Sequence, residues 1–466
     1  MLDIQRKDTI IAIATAAGAG AIAVIRLSGK DSISLVDAAF ISGAKSAKSL
    51  KESKSHRLHF GTIQDDEAIL DEVLVSVFKN PHSFTGEDVI EISCHGSVYI
   101  QQKMLEYFLF KGARLAQPGE FTLRAFLNGK LDLSQAEAVA DIIAADSASS
   151  HRLAMNQLRG GFSNEIALLR EQLIHFASLI ELELDFAEED VEFASRADLM
   201  KTVEKLRSVI QGLVDSFEVG NVLKNGIPVV IAGEPNVGKS TLLNALLNED
   251  RAIVSEIAGT TRDTIEEEIV LGGVKFRFID TAGIRDTTDT IEKIGVEKTY
   301  EKMRQSPVVI YLFDVNNTTS SALENQLEEL KRELSPGFRI IPVGNKIDGK
   351  NLEELEKEFK DTPSILFISA KQRINLFAIS EILSKDVKSG LLEGKDTVVT
   401  NVRHADALRK TAEALGRVHT GLSSNVTNDF IAGDLRHALH YLGEITGQIS
   451  SDDLLANIFS KFCIGK

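Results

Sequence analysis

The residues best placed to do chemistry lie in the middle of the chain. Gly233-Glu234-Pro235-Asn236-Val237-Gly238-Lys239-Ser240 matches the phosphate-binding loop pattern in full. It follows an apolar run, Ile227–Ala232, and opens a helical one, Thr241–Leu247, which is the context that such a loop needs. Backbone N–H groups in a loop of this kind, and the helix N-terminus behind it, suit phosphate oxygens. The candidates for that role are Asn236, Val237, Gly238, Lys239, Ser240 and Thr241. Lys239 is expected to reach the β- and γ-phosphates and the Ser240 hydroxyl to ligate Mg²⁺.

Three further motifs follow in order. Asp280-Thr281-Ala282-Gly283 comes after another strand, with the Asp able to hold the Mg²⁺ shell and the Gly283 N–H able to meet the γ-phosphate. Asn345-Lys346-Ile347-Asp348 follows the strand Phe338–Val343. A carboxylate there accepts two hydrogen bonds from the guanine ring N–H and exocyclic amine, a pair that adenine cannot supply. Ser369-Ala370-Lys371 follows one more strand and offers the Ala370 N–H to the guanine carbonyl. The set predicts GTP rather than ATP.

Two loops complete the chemistry. Gly259-Thr260-Thr261-Arg262-Asp263 sits where a switch loop belongs. Thr261 is a candidate second Mg²⁺ ligand that orders when γ-phosphate is present, with a solvated polar loop as the alternative. Ile284 follows Gly283, where many GTPases carry a Gln that orients water. An Ile cannot do this, and the nearby acids are Asp286, Asp289 and Glu292. Glu292 opens a helical run, and on the residues alone an ordinary helix-start carboxylate is its simpler reading.

The elements that must position these residues read as an α/β domain. Candidate strands are Ile227–Ala232, Ile265–Leu271, Val274–Ile279, Val308–Phe313, Phe338–Val343 and Ile365–Ile368, with Gly272-Gly273 as a two-residue hairpin turn. Intervening helical stretches imply a mostly parallel, covered sheet. Upstream, Ile10–Thr15 and Ala21–Leu27 flank a small-residue loop. Leu74–Phe78 and Val89–Ser93 read as strands and Gln101–Phe110 as a helix, an α+β pattern. Ser134-Gln135-Ala136-Glu137 fits a capping box. Helical spacing continues through Glu165–Phe186 and Ala197–Val219, then resumes in Ala405–Val418, Asp429–Leu442 and Ser451–Phe462.

The expected organisation is therefore α/β plus all-α plus α+β. An N-terminal α+β domain occupies 1–120 and a helical domain 121–222 and 389–466. A Ras-like P-loop G domain at 223–388 is inserted in the helical domain.

Composition agrees with this and excludes some classes. A chain of 466 residues suggests about three domains. No apolar run reaches the roughly 18 residues of a transmembrane candidate, and Met1–Ile10 is not a signal peptide. Two cysteines, Cys94 and Cys463, argue against a disulfide framework, so a cytoplasmic location without membrane association is expected. A net charge of -16 argues against a large basic nucleic-acid surface, but a local patch or a partner could still hold an RNA.

At whole-chain level the sequence resembles the MnmE (also called TrmE) family of tRNA wobble-uridine modification GTPases. The resemblance rests on the P-loop with Asn236, on Ile257-Ala258-Gly259-Thr260-Thr261-Arg262-Asp263, on the absent Gln and on Cys463-Ile464-Gly465-Lys466. N-terminal signatures add Ile25-Arg26-Leu27-Ser28-Gly29, Ser83-Phe84-Thr85-Gly86-Glu87-Asp88, Pro118-Gly119-Glu120-Phe121, Arg124-Ala125-Phe126-Leu127-Asn128 and Lys130-Leu131-Asp132-Leu133. Near the C-terminus it includes Glu444-Ile445-Thr446-Gly447 and Ser451-Asp452-Asp453-Leu454-Leu455.

The resemblance implies an N-terminal domain that binds a tetrahydrofolate derivative, 5-formyl- or methylene-tetrahydrofolate, and makes a homodimer. Arg26, Glu91, Lys130 and Lys466 fall at the folate positions, and Glu292 becomes the water-positioning carboxylate. Asn236, Ser255, Ile257 and Thr260 match a potassium site, within the nucleotide-contacting run Ser255, Glu256, Ile257, Ala258, Gly259, Thr260 and Thr261. On the residues alone, Asn236 simply stiffens the P-loop turn. An FAD-dependent partner, MnmG (GidA), would join it in a heterotetramer acting on tRNA, adding an aminomethyl or carboxymethylaminomethyl group at uridine C5. Cys463 is a candidate redox or nucleophilic participant, and a structural role fits it as well. The competing reading is a regulatory or ribosome-assembly GTPase, which would carry a basic RNA-binding appendage instead of the folate-like flank.

Overall fold

The computed structural model describes residues 8–43, 49–65, 68–185, 195–249, 266–280, 303–304, 306–334, 338–362, 364–390, 398–424 and 426–465. Its contacts form two compact units. One comprises 1–144, 154–211 and 406–466, and the other comprises 145–153 and 212–405. In chain order the second interrupts the first.

The first unit holds a seven-stranded sheet built from β1 Ile10–Ile13, β2 Ile22–Ser28, β3 Phe40–Ser42, β4 Arg57–Asp65, β5 Ala68–Phe78, β6 Val89–His95 and β7 Arg114–Leu115. Their order across the sheet is β3-β4-β5-β6-β2-β1-β7. Alternation decides which face is buried. Ile25 and Leu27, Val73, Val75 and Val77, and Ile90 and Ile92 face a core closed by the helices Ser32–Ala39 and Val98–Phe110. Each such buried aliphatic side chain contributes about 1.5–3 kcal/mol. On the other face Ile41, Leu58, Phe60 and Leu74 are 40–60% exposed. Register places Phe60 opposite Leu74 and Arg26 opposite Glu91 on that same outer face.

A charged cluster fastens the first residues to the helix Glu120–Leu127. Arg124 meets Asp8 at 2.9 Å, Glu87 at 3.0 Å and Glu120 at 3.1 Å. Arg114 meets Asp8 and Glu120, each at 2.6 Å. The hydrogen bond from Arg114 holds the Asp8 carboxyl below its ordinary range. Burial works against ionisation of Glu120, but Arg114 and the Gln117 N–H outweigh it and hold that carboxyl low as well. The helix Leu133–Ala144 begins on a reciprocal cap. The Gln135 N–H donates to Asp132 Oδ1 at 2.9 Å and the Asp132 N–H to Gln135 Oε1 at 3.0 Å. The capping box thus lies two residues earlier than Ser134–Glu137. Ser134 is buried and pairs with Ser163 Oγ at 2.8 Å, so it is unavailable as a cap. The helix Asn428–Thr446 packs along Gly161–Asp185.

The second unit is the expected α/β sheet, with β8 Ile227–Ala232, β9 Glu266–Leu271, β10 Val274–Asp280, β11 Val308–Asp314, β12 Arg339–Asn345 and β13 Leu366–Phe367 in the order β13-β12-β11-β8-β10-β9. All neighbours are parallel except β9 with β10, a hairpin turned by Gly272 and Gly273 at φ of 59° and 84°. Two left-handed residues in succession are what the type I′ turn demands. The segment before Leu153 grips this turn. The Ser149 N–H donates to the Gly273 carbonyl at 3.1 Å, and Lys275 Nζ lies 2.5 Å from Asp146 and 3.2 Å from Glu268. Burial disfavours the Lys275 charge, but the two carboxylates prevail and raise its pKa.

Candidate functional site

The described parts of the four nucleotide motifs lie at the carboxyl ends of parallel strands, the crevice where open α/β sheets bind ligands. The phosphate loop leaves β8 and enters the helix Lys239–Glu249, which places Ser240 and Thr241 in its first turn. Asp280 ends β10, Asn345 ends β12, and Ser369 follows β13. The loop needs unusual backbone: Asn236 has φ 64° and Gly238 has φ 102°. A Cβ on Gly238 would also sit 2.5 Å from Asn345 Nδ2, so two constraints require glycine there.

Asn345 is 3% exposed and ties the site together. Its Nδ2 donates to the Val237 carbonyl at 2.8 Å, and its Oδ1 accepts the Ala370 N–H at 3.0 Å. The phosphate loop and the guanine-reading loop, on strands separated by β11, are thereby pinned to each other. The Ala370 N–H, expected to meet the guanine carbonyl, is directed at Asn345 here, so that carbonyl would have to share or displace this acceptor. Asp348 accepts a hydrogen bond from Ser369 Oγ at 2.9 Å, which fixes its carboxylate. Lys371 continues this loop. Lys239 Nζ donates to the Gly233 and Glu234 carbonyls at 2.8 and 3.0 Å, holding the ammonium over the loop that phosphates would fill.

One partner escaped sequence reasoning. Asp314, at the end of β11 and 5% exposed, pairs with Lys346 at 2.9 Å. Burial opposes its charge, but Lys346 and Asn316 hold the carboxyl low. A strand-end Asp beside the Asn345–Asp348 strand was the available signal.

Ser255, Glu256, Ile257, Ala258, Gly259, Thr260, Thr261, Thr281, Ala282, Gly283, Glu292 and Lys466 lie outside the described residues, as does the Asp280 side chain.

A second constellation forms in the N-terminal sheet. Arg26 on β2 and Glu91 on β6 pair at 2.7 Å, and Arg26 Nη1 donates to the Gly465 carbonyl at 3.2 Å. The guanidinium also lies over Phe84 at 5.8 Å and Phe121 at 5.7 Å. The C-terminal segment is seated closely. Gly465, at φ 96°, packs where a Cβ would run into the Ile13 carbonyl, and the Cys463 carbonyl accepts the Gly119 N–H at 3.3 Å. Lys130 lines a cavity together with Phe84, and its Nζ donates to the Pro81 carbonyl at 2.9 Å. Three of the expected folate residues thus gather with two rings that the sequence had not assigned.

The sheet order and the pinned loops define a Ras-like P-loop G domain that reads guanine. Comparison with family models matches "GTP-binding protein TrmE N-terminus" over residues 9–130 and "MnmE helical domain" over 133–463. The chain belongs to the MnmE family of tRNA modification GTPases.

Proteins named tRNA modification GTPase MnmE are similar over nearly the full length. That of Flavobacterium psychrophilum is 56% identical over 98% of this chain and 99% of that protein. That of Cytophaga hutchinsonii is 55% identical over 99% and 98%, and that of Bacteroides thetaiotaomicron 50% over 99% and 100%. Among solved structures, Era in complex with MgGDPNP and a 16S ribosomal RNA fragment is 28% identical. It covers 40% of this chain and 66% of that one at a TM-score of 0.26, so the fold assignment rests on the sheet topology instead. No helix among the described residues is long and apolar enough to cross a membrane.

Proposed function

We propose that this chain couples GTP hydrolysis to modification of the wobble uridine of tRNA. A tetrahydrofolate derivative, 5-formyl- or methylene-tetrahydrofolate, supplies the one-carbon unit. The FAD-dependent partner MnmG (GidA) completes the addition of an aminomethyl or carboxymethylaminomethyl group at C5, in a cytoplasmic heterotetramer. Beyond family membership, the observation that carries this reading is the junction of Arg26, Glu91 and the Gly465 carbonyl beneath Phe84 and Phe121. A cation, a carboxylate and two rings suit a planar, amine-bearing pterin, with Lys130 and Lys466 completing the charge. Cys463 stands at that junction as a candidate participant. Nucleoside analysis of tRNA from cells lacking the protein tests the proposal. The wobble modification should vanish and return with the wild-type gene, and unchanged nucleosides would refute it.

In the G domain, Ser240 and Thr261 are the proposed Mg²⁺ ligands. Asn236, Ser255, Ile257 and Thr260 hold K⁺, and Glu292 positions water. Neutral oxygen donors suit a large monovalent cation, which can offset charge developing on the phosphates. Asn236 fits, since its side chain has no hydrogen-bond partner among the described residues. Turnover in potassium should exceed that in sodium at equal ionic strength, and equal rates would discard the cation.

The outer face carrying Ile41, Leu58, Phe60 and Leu74 supports pairing with a second copy through the 1–120 domain, since contiguous apolar surface marks interaction sites. Phe60→Asp should yield monomer by sedimentation, and a persistent dimer would place the interface elsewhere. The helical domain then comprises 121–222 and 389–466, with the G domain at 223–388.

A further inference from the structure

The chain leaves the guanine-reading motif through an exposed loop, Lys371–Phe377, whose charge is unlike that of the protein as a whole. Of the 68 acids in 466 residues none falls between Asp361 and Glu381, whereas Lys371 and Arg373 do. Both cations are exposed, and neither has a hydrogen-bond or ion-pair partner among the described residues. Beside them Ile374 is 42% exposed and Phe377 73%. We infer that this loop is a contact for single-stranded RNA, with the two cations on phosphates and the Phe377 ring under an unpaired base. The inference rests on the tRNA reading proposed above and gives it a place on this acidic chain where RNA can lie.

The backbone fixes how these side chains are displayed. Arg373 and Asn375 stand in the left-handed region, at φ 58° and 60°, which is costly for residues that carry a Cβ. The surrounding bonds hold them there. Ser369 and Ile374 exchange both backbone hydrogen bonds, at 3.2 and 3.0 Å. The Gln372 N–H donates to Ser369 Oγ at 3.1 Å, and Asn375 Nδ2 donates to the Phe367 carbonyl at 2.9 Å. Leu376 and Ile379 are buried, which anchors the start of the helix Phe377–Gly390 and leaves the Phe377 ring in solvent. Strain of this kind persists only where the neighbours over-determine it, and it gathers at functional sites. A loop already held in one conformation also loses less freedom on binding.

The chemistry selects the occupant. A guanidinium and an ammonium without acidic partners suit phosphate oxygens. An exposed phenyl ring in the same loop is of no use to a bare anion, but every base has a flat face that can stack on it. Duplex RNA hides those faces, which leaves unpaired loop nucleotides. The acid held against this loop, Asp348, is bonded to Ser369 Oγ at 2.9 Å and is taken by the guanine ring in the reading above.

Fluorescence anisotropy on the full chain, with saturating GDP, would measure an unmodified tRNA transcript against wild type, Arg373→Asn and Phe377→Ala over a series of salt concentrations. Asn tolerates the left-handed backbone, so Arg373→Asn removes the charge and keeps the turn. It should weaken the complex about tenfold and flatten the slope of log affinity against log salt by about 0.7–1. Phe377→Ala should weaken it about 5- to 100-fold with the slope unchanged, since stacking releases no counterions. Unchanged GTP turnover in both variants certifies their folding. Wild-type affinity and slope in both variants overturn the surface while the tRNA reading stands. Loss in Arg373→Asn alone makes the contact one of charge only and overturns its assignment to unpaired bases. Wild type without affinity for the transcript overturns the surface as well, and nucleoside analysis in cells then judges the tRNA reading on its own. Variants that keep tRNA but lose the FAD-dependent partner assign the loop to a protein contact and likewise overturn the proposal.

Discussion

The nucleotide site and the N-terminal junction solve the same problem, holding charge ready for a ligand, in opposite ways. In the G domain the described contributors sit at the ends of parallel strands, and each motif is a short continuous string. The long-range work falls to one buried side chain, Asn345, bonded across β11 to Val237. In the N-terminal domain no string exists. Arg26, Glu91 and Gly465 are drawn from three distant stretches of chain, and antiparallel register alone sets Arg26 beside Glu91. A parallel sheet lets function be written locally, whereas an antiparallel sheet with a docked tail requires the whole unit to be folded first.

That contrast can be broken at either end. The largest effect should come from Lys239→Ala, which removes the ammonium now resting on the Gly233 and Glu234 carbonyls. Single-turnover GTP hydrolysis should drop about 10²–10³-fold. Formyl-folate affinity should not change, and a parallel loss there would show that the two sites are not independent. Next, Asp348→Asn should weaken GTP by at least about 100-fold and favour xanthosine triphosphate, because the amide reverses the donor pattern. Retained GTP affinity in a nucleotide competition assay would remove Asp348 from guanine recognition.

A smaller change is expected from Glu91→Ala. It strips Arg26 of its ion pair and should cost about tenfold in folate affinity with GTP turnover intact. Full affinity by calorimetry would remove both Glu91 and its hold on Arg26 from folate binding.

The smallest is a pH effect on the N-terminal unit. Asp8 and Glu120 have carboxyls held below their ordinary values of 3.8 and 4.5. Their pairing with Arg114 and Arg124 therefore contributes stability that is fully present above about pH 4.5 and is lost as pH falls through 3.8 and below. Thermal melts should show the wild-type midpoint falling across that window more steeply than in Asp8→Asn. Parallel curves would mean that the pairing adds nothing to folding.

How much of this was legible in the sequence follows the same division. β8 begins and ends where the apolar run does, because a strand buried on both faces reads as a continuous block. Gly272-Gly273 announced its turn by composition. By contrast β4 escaped notice. Arg57–Asp65 mixes exposed apolar and polar residues on both faces, so no alternation stands out. The capping box was misplaced because Ser and Asp are both good caps, and only burial against Ser163 disqualifies Ser134. The proposed folate residues Arg26, Glu91 and Lys130 came from resemblance. Phe84 and Phe121 were quoted within the same motifs without a role, since nothing local tells that a ring lies under a guanidinium from another strand.

The two thiols of this chain differ enough to be useful at the bench. Cys94 is buried behind β2, and that burial, reinforced by Asp71, pushes its pKa up to about 11. At neutral pH it offers almost no thiolate to an alkylating reagent. Cys463 is exposed, two residues before the carbonyl that Arg26 holds. The wild-type protein therefore carries a single addressable thiol, and a maleimide dye placed there would report on the surroundings of the tail beside Arg26 without any engineered cysteine.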